Sequence, residues 1–196
     1  MAEFPGRENK VIEHLAIEDV FLFTPKRHGD ARGWFSETWS RAALEPETGP
    51  LDWVQDNHSR SGPRGVLRGL HLQIAPFAQD KLVRCVRGAI RDVAVDVRVG
   101  SPSFGRHVAA VLSEANGTQI FVPKGFAHGF VTLEPDCEVI YKVSAPYNKD
   151  CERGVAWNDP ALAIDWGVSP QEVTLSDRDR LWPNLAQFPP AFWHPA

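Results

Sequence analysis

The chain has 196 residues, 43% of them hydrophobic, with a formal net charge of −4 at pH 7, which allows one domain with a proper buried core and argues against disorder. The acidic balance argues against a nucleic-acid binder, which carries a basic surplus; no apolar run is long enough to span a membrane, and residues 1–10 are too polar and charged for a signal peptide. Three cysteines (Cys85, Cys137, Cys151), odd in number and without a Cys-x-x-Cys pair, argue against a disulfide framework or zinc knuckle and for a reduced, cytoplasmic enzyme or binding protein.

A single domain over 1–196 is expected, with residues 1–10 a loose terminus. Val20 to Phe23 predict an early strand closed by Pro25. A loop over 26–32 follows, and Gly33 to Trp39 resumes as an aromatic-rich strand. Ser40 to Leu44 allow one helical turn, broken by Pro46, Gly49 and Pro50. The stretch Gln55–Gln73 is dense in amides, histidines, arginines and glycines, yet it sits between segments patterned as buried strands. Polar side chains that interrupt a β pattern this heavily line something wet. Alternation from Leu67 puts Gly69, His71 and Gln73 on one face and Arg68, Leu70 and Leu72 on the other. A polar face carrying His71 suits the interior of a small barrel.

The middle of the chain reads as β throughout. Strands are predicted over 81–86, 89–99, 107–112, 119–122, 131–133 and 138–143. Within 89–99, Val93, Val95, Val97 and Val99 share one face while Asp92, Asp96 and Arg98 lie on the other. Asn116-Gly117 is a tight-turn signal. Short, evenly spaced strands punctuated by Gly and Pro predict an all-β sandwich or barrel. From 160 to 196 the composition shifts to a Pro-rich extension with short helical pieces, the best of them opening at Ser176-Asp177-Arg178-Asp179 and stopped by Pro183.

Of seven histidines, His14, His28, His107 and His194 lie near the ends, in a loop or at a strand start, which leaves His58, His71 and His128. Pro123-Lys124-Gly125-Phe126-Ala127-His128 forces a sharp entry into the next strand; its histidine is either a core residue satisfied by backbone or one aimed into a cavity. This Pro-x-Gly-x-x-His pattern resembles the second motif of the cupins, double-sheet jelly rolls. The first-motif position holds Leu70-His71-Leu72 with Gln73 beyond it, and His71, His128 and Gln73 make a weak ligand set. A cupin with no metal is therefore expected.

The remaining chemistry is acid–base. His71 is the natural base, with Asp179 or Asp177 to orient it; Asp179 also fits a capping role with Ser176. Lys81 could stabilise an enolate by charge or be a solvated strand-end lysine. Tyr141, one of two tyrosines, could donate a proton to a carbanion or serve as a core aromatic.

Six stretches in order, Asp30–Glu37, Gln55–Gln73, Asp80–Arg84, Phe121–Phe130, Gly154–Pro160 and Leu175–Asp179, together with Tyr141-Lys142, closely resemble the dTDP-4-dehydrorhamnose 3,5-epimerase family. The resemblance implies a cupin jelly roll, a homodimer without metal or cofactor, and inversion of C3 and C5 in a dTDP-4-keto sugar. It implies that His71 is the base paired with Asp179, that Lys81 and His128 sit near the enolate oxygen, and that Tyr141 returns the proton from the opposite face. Arg68, with Arg60 and Ser59, matches diphosphate positions, and Tyr147 matches the aromatic stacked on the nucleobase. Arg32, Phe35 and Glu37, from a partner subunit, resemble nucleotide and sugar contacts, as do Gln55 and Asn57. Leu72 and Pro146 stand where the family often has aromatics, which alters the pocket rim. The rivals are a relative inverting C3 or C5 alone, a metal-dependent cupin and a non-catalytic sugar-nucleotide binder.

Overall fold

The computed structural model describes residues 12–194; the terminus expected at 1–10 lies outside the described residues. In chain order the strands are β1 (Ile12–His14), β2 (Phe21–Phe23), β3 (His28–Asp30), β4 (Gly33–Phe35), β5 (Gln55–Ser61), β6 (Leu67–Gln73), β7 (Lys81–Arg87), β8 (Ala89–Asp96), β9 (His107–Ser113), β10 (Gln119–Val122), β11 (Phe126–Thr132), β12 (Cys137–Val143) and β13 (Glu152–Gly154). A helix, α1, spans Arg41–Thr48. One sheet runs β1-β2-β10-β7-β12-β5 and the other β13-β6-β11-β8-β9, while β3 and β4 pair as a separate hairpin. All their pairings are antiparallel. This is the all-β double-sheet jelly roll, with open sheet edges instead of the closed barrel that the polar face of β6 suggested.

Period-2 patterning sorts the apolar side chains into three layers. Between the sheets lie Val83 and Cys85 of β7, Ile90 and Ala94 of β8, Ile120 and Val122 of β10, and Phe126 and Phe130 of β11. The opposite face of the five-stranded sheet presents Leu70, Leu72, Val93, Val95 and Val131 to Leu162, Trp166 and Leu185 of the C-terminal extension. The opposite face of the six-stranded sheet packs Phe21, Phe23, Leu82 and Phe121 on Leu44 of α1 and on Trp39 and Trp53. The C-terminal extension therefore completes a core. Without it, the valine face of β8 would be exposed to water.

Three local expectations change. The loop predicted at 26–32 contains β3, because the Asp30 carboxylate accepts from the Arg32 amide at 2.8 Å and closes a turn into β4, while Arg27 stacks over Trp34 at 4.4 Å. Helix α1 runs through Pro46 to Thr48: losing one amide donor does not end it, since Leu44 is anchored in the core and the Gly49 amide closes on Glu45 at 2.9 Å. The helix predicted from Ser176 is a single 3-10 turn, Asp179–Leu181, because Pro183 pushes Trp182 into extended backbone.

One irregularity positions the site. On β11, His128 and Phe130 are two residues apart, but their partners on β6, His71 and Arg68, are three apart. The extra residue breaks alternation, so Arg68 and His71 project from the same face, not from opposite faces as strict alternation predicts. The bulge brings two glycines together. A Cβ on Gly69 (φ +139°) would meet Gly129 Cα at 2.6 Å, and one on Gly129 would meet the Arg68 carbonyl oxygen at 2.8 Å. Gly129→Ala should therefore lower stability by about 1–3 kcal/mol, the range for overpacking a core, measured by urea unfolding. Unchanged stability would mean the strands approach less closely.

Candidate active site

The two sheets enclose a cavity of about 450 Å³ whose lining includes Ser59, Arg68, His71, Lys81, His128, Phe130, Tyr141, Glu152, Arg178 and Asp179. The five-stranded sheet supplies Arg68 and His71 on β6 and His128 on β11. The six-stranded sheet supplies Lys81 on β7, Tyr141 on β12 and Ser59 on β5. The cavity is polar because inner-face positions that elsewhere hold valine here hold ionisable groups.

His71 Nε2 lies 2.5 Å from Asp179 Oδ1. Asp179 is buried, and burial pushes its carboxyl up, but hydrogen bonds and charge from His71, with bonds from Ser176 and Trp182, outweigh this and hold it below the usual range. The backbone amide of Asp179 donates to Ser176 Oγ at 3.2 Å, so the capping interaction and the pairing with His71 coexist, one through backbone and one through side chain. With Nε2–H spent on Asp179, the lone pair falls on Nδ1, which has no hydrogen-bond partner among the described residues. The Trp182 ring packs edge-on against the imidazole at 6.0 Å and limits its rotation.

Lys81 is buried, and its ammonium donates to the His71 carbonyl oxygen at 3.2 Å. Burial pulls its pKa down to about 8, against the opposing charges of Asp92 and Glu152. His128 stands directly across the ladder from His71, and its Nε2 is 2.9 Å from both carboxylate oxygens of Asp92. Tyr141 faces the interior; burial, with Glu152, pushes its phenol up, partly offset by Arg68. The phenol is thus kept as a proton donor at neutral pH.

Around this centre, Arg68 donates to the Arg60 carbonyl oxygen at 3.2 Å and to Ser61 Oγ at 3.3 Å. Ser59 Oγ is buried and has no hydrogen-bond partner among the described residues. Gln55 and Asn57 occupy the same inner face of β5, bonded to one another at 2.7 Å, and Gln55 Oε1 accepts from the Tyr147 amide at 3.1 Å. Tyr147 is exposed at the rim, where its hydroxyl donates to Glu152 at 2.7 Å. Gln73 is committed to the fold: its amide donates to the Phe77 and Pro146 carbonyls and accepts from Asn148. Each candidate ligand thus has another partner, and no group of three His, Cys, Asp or Glu side chains is placed to hold a metal among the described residues.

Seven predicted residues do not line this cavity: Gln55, Asn57 and Tyr147, described above, and four more. Arg60 is on the outward face of β5, paired with Asp136 at 2.5 Å. Arg32 pairs with Asp30, Phe35 is 71% exposed, and Glu37 accepts from Ser40 at 2.6 Å. Three groups in the site had no assigned role in the sequence reading. Asp92 carried a signal, a carboxylate in a valine-rich strand, on the face away from the valines. Glu152 and Arg178, which form an ion pair beside Tyr147, carried none, because Glu152 opens a strand of only three residues, β13, and Arg178 lies in a turn, both too short to show a pattern.

The fold and the facing acid–base groups define a cupin-type jelly roll of the nucleotide-sugar epimerase kind. The model of the dTDP-4-dehydrorhamnose 3,5-epimerase family matches residues 14–187, and the chain belongs to that family. It is 49% identical over 180 residues to the dTDP-4-dehydrorhamnose 3,5-epimerase of Sinorhizobium fredii, covering 92% of each chain. The enzyme of the same name from Pseudomonas aeruginosa is 51% identical over 167 residues, covering 85% of this chain and 91% of the relative. The crystal structure of dTDP-6-deoxy-D-glucose-3,5-epimerase from Legionella pneumophila, in complex with dTDP-4-keto-L-rhamnose, superposes with a TM-score of 0.89 at 40% identity, covering 94% of this chain and 98% of that one.

Burying the Lys81 charge has a stability cost. The folded-state pKa of about 8 lies below the ordinary lysine value of 10.5, so the unfolded chain binds more protons between these values and the penalty is full below about pH 8 and gone above about 10.5. Lys81→Met should therefore raise stability at pH 7 by an amount on the order of 3 kcal/mol, with the difference shrinking as pH rises toward 10.5. Denaturant titrations at several pH values measure it; a variant less stable at pH 7 would contradict the account.

Proposed function

We propose that this chain inverts C3 and C5 of dTDP-4-dehydro-6-deoxy-D-glucose, giving dTDP-4-dehydro-L-rhamnose for dTDP-L-rhamnose synthesis. The observation that carries this reading is the projection of His71 and Tyr141 from different sheets into one cavity. In a 4-keto sugar the hydrogens on C3 and C5 are acidified by the adjacent carbonyl, so the ring can be deprotonated without a cofactor. His71 takes the proton on Nδ1, and Asp179 stabilises the imidazolium that results. Lys81 and His128 face the oxygen on which enolate charge develops. Tyr141 protonates the carbon from the other side, which inverts it.

Binding falls to the cavity's remaining groups. Arg68 and Ser59 hold the diphosphate, with Arg60 reaching it only if its pair with Asp136 opens. Tyr147 stacks on the base, held by Gln55, and Asn57 lines the path to the sugar. Arg32, Phe35 and Glu37 serve a partner's site in a homodimer; the exposed Trp34 and Phe35 support this, since an apolar hairpin tip in water favours a covered surface. The free thiols Cys85, Cys137 and Cys151 support a reducing, cytoplasmic setting. No helix of the described residues is long and apolar enough to cross a membrane.

Proton NMR of this nucleotide sugar with the protein in deuterium oxide tests the reading. The expected outcome is loss of both the C3 and C5 signals and appearance of the L-rhamno product. Loss of one signal alone would make the chain a single-site epimerase. His71→Asn should reduce exchange at both carbons by roughly 10²–10⁴-fold, the usual worth of a general base, while nucleotide affinity is retained. Exchange at the wild-type rate in that variant would remove His71 from the mechanism.

A further inference from the structure

The residue before β7 is a buried carboxylate that the mechanism leaves unused. Asp80 is 5% exposed and does not line the cavity, and its two oxygens are bonded to two different segments. Oδ1 accepts from the backbone amide of Lys124 at 3.1 Å. Oδ2 accepts from the Ser144 hydroxyl at 2.8 Å, and that hydroxyl accepts in turn from the Asp80 amide at 2.8 Å. The Ser144 amide closes the ring by donating to the Asp80 carbonyl oxygen at 3.1 Å. Both side-chain partners donate, so the arrangement suits a carboxylate, which only accepts.

The strands that this carboxylate joins carry the groups placed around the enolate. In the six-stranded sheet β7 lies between β10 and β12, and Lys81 stands between Val122 and Val143. One residue earlier both ladders have ended, and the Asp80 side chain takes over the bonding on the two sides. Ser144 follows the last residue of β12, three positions after Tyr141. Lys124 belongs to the turn in which the chain leaves β10 of one sheet for β11 of the other, four positions before His128. Asp80 therefore ties the two walls together at the end of the cavity where Lys81 begins. None of its bonds goes to β6, the strand of His71 and Arg68. We propose that Asp80 is a positioning residue whose carboxylate sets the spacing of Lys81, Tyr141 and His128, and with it the fit of the cavity around the developing enolate. This rests on the reading of the chain as a keto-sugar epimerase. Spacing matters there because a misplacement of about 1 Å can cost on the order of a hundredfold in rate.

Asp80→Ala and Asp80→Asn test this together. Alanine removes both acceptors, whereas asparagine keeps Oδ1 for Lys124 and offers Nδ2 to Ser144 Oγ. Without substrate, hydrogen exchange of the Lys124 amide reads the tie itself. It should speed up roughly tenfold in Asp80→Ala, the usual worth of a lost hydrogen bond, and be slowed again in Asp80→Asn. With the 4-keto nucleotide sugar, kcat per site, the sites being counted by dTDP calorimetry, should fall roughly ten- to a hundredfold in Asp80→Ala and largely recover in Asp80→Asn. KM should change little, since Arg68 and Ser59 stand on β6 and β5, which Asp80 does not touch. Counting sites separates misplaced groups from a smaller folded fraction, which would leave kcat per site as in wild type. An unchanged Lys124 amide, or wild-type kcat per site in folded Asp80→Ala, would overturn the proposal. Should Asp80→Ala not fold, Ser144→Ala removes the partner of Oδ2 alone and should show the same loss of kcat without a rise in KM; full activity there would overturn the proposal. A wild-type protein inactive on the keto sugar would instead overturn the proposed function, and the Lys124 amide would still decide whether Asp80 holds the turn.

Discussion

Everything in this site depends on how closely β6 approaches β11. Gly69 and Gly129 remove the side chains that would hold the strands apart, and the bulge they permit turns Arg68 and His71 to the same side. A regular ladder would leave one of them under the C-terminal extension, among Leu70, Leu72 and Val93. The same approach sets His71 opposite His128, so that imidazoles from neighbouring strands share one wall. A backbone contact between two glycines thus decides which side chains can meet a ligand.

The second constraint is electrostatic. A sandwich interior is a costly place for charge, yet this one holds Lys81, Asp92, His128 and Asp179. Each is paired: His71 with Asp179, His128 with Asp92, and Lys81 with a backbone carbonyl and the field of two carboxylates. The arrangement gives up stability for polarity that exists before any ligand arrives, which is what stabilising a developing enolate requires. Function then follows from distributing the groups over two sheets. The base is carried by one wall and the proton donor by the other, so an sp³ carbon next to the carbonyl can lose its proton to one side, become planar in the enolate, and gain a proton from the other.

Much of this was legible in the sequence, for physical reasons that differ by segment. The strands from Lys81 to Val143 could be read because β alternation and turn chemistry are local. His71 and Asp179, 108 residues apart, could be proposed as partners only from the resemblance to the epimerase family, since spacing alone left Asp177 open. The β6 bulge was hidden: a glycine within a strand marks a possible irregularity, but the residue it must avoid, Gly129, lies 60 positions away. The valines of β8 were read correctly as one face. What the sequence did not reveal was that this face packs under the C-terminal extension while the Asp92 face turns toward the cavity, because both faces are buried and alternation cannot say which is the interior one. Glu152, at the start of the three-residue strand β13, and Arg178, in a turn, meet through tertiary folding, and no local pattern announces them.

The account's central claim is that base and acid act from opposite faces of one ring, and Tyr141→Phe tests it most directly. Incubated with the 4-keto nucleotide sugar in deuterium oxide, this variant should still exchange the hydrogens next to the carbonyl, since His71, Lys81 and His128 remain. The deuterium should return with the original configuration, and net inversion should fall by orders of magnitude. Inversion at the wild-type rate would contradict the two-wall mechanism and send the search for the proton donor to another group in the cavity.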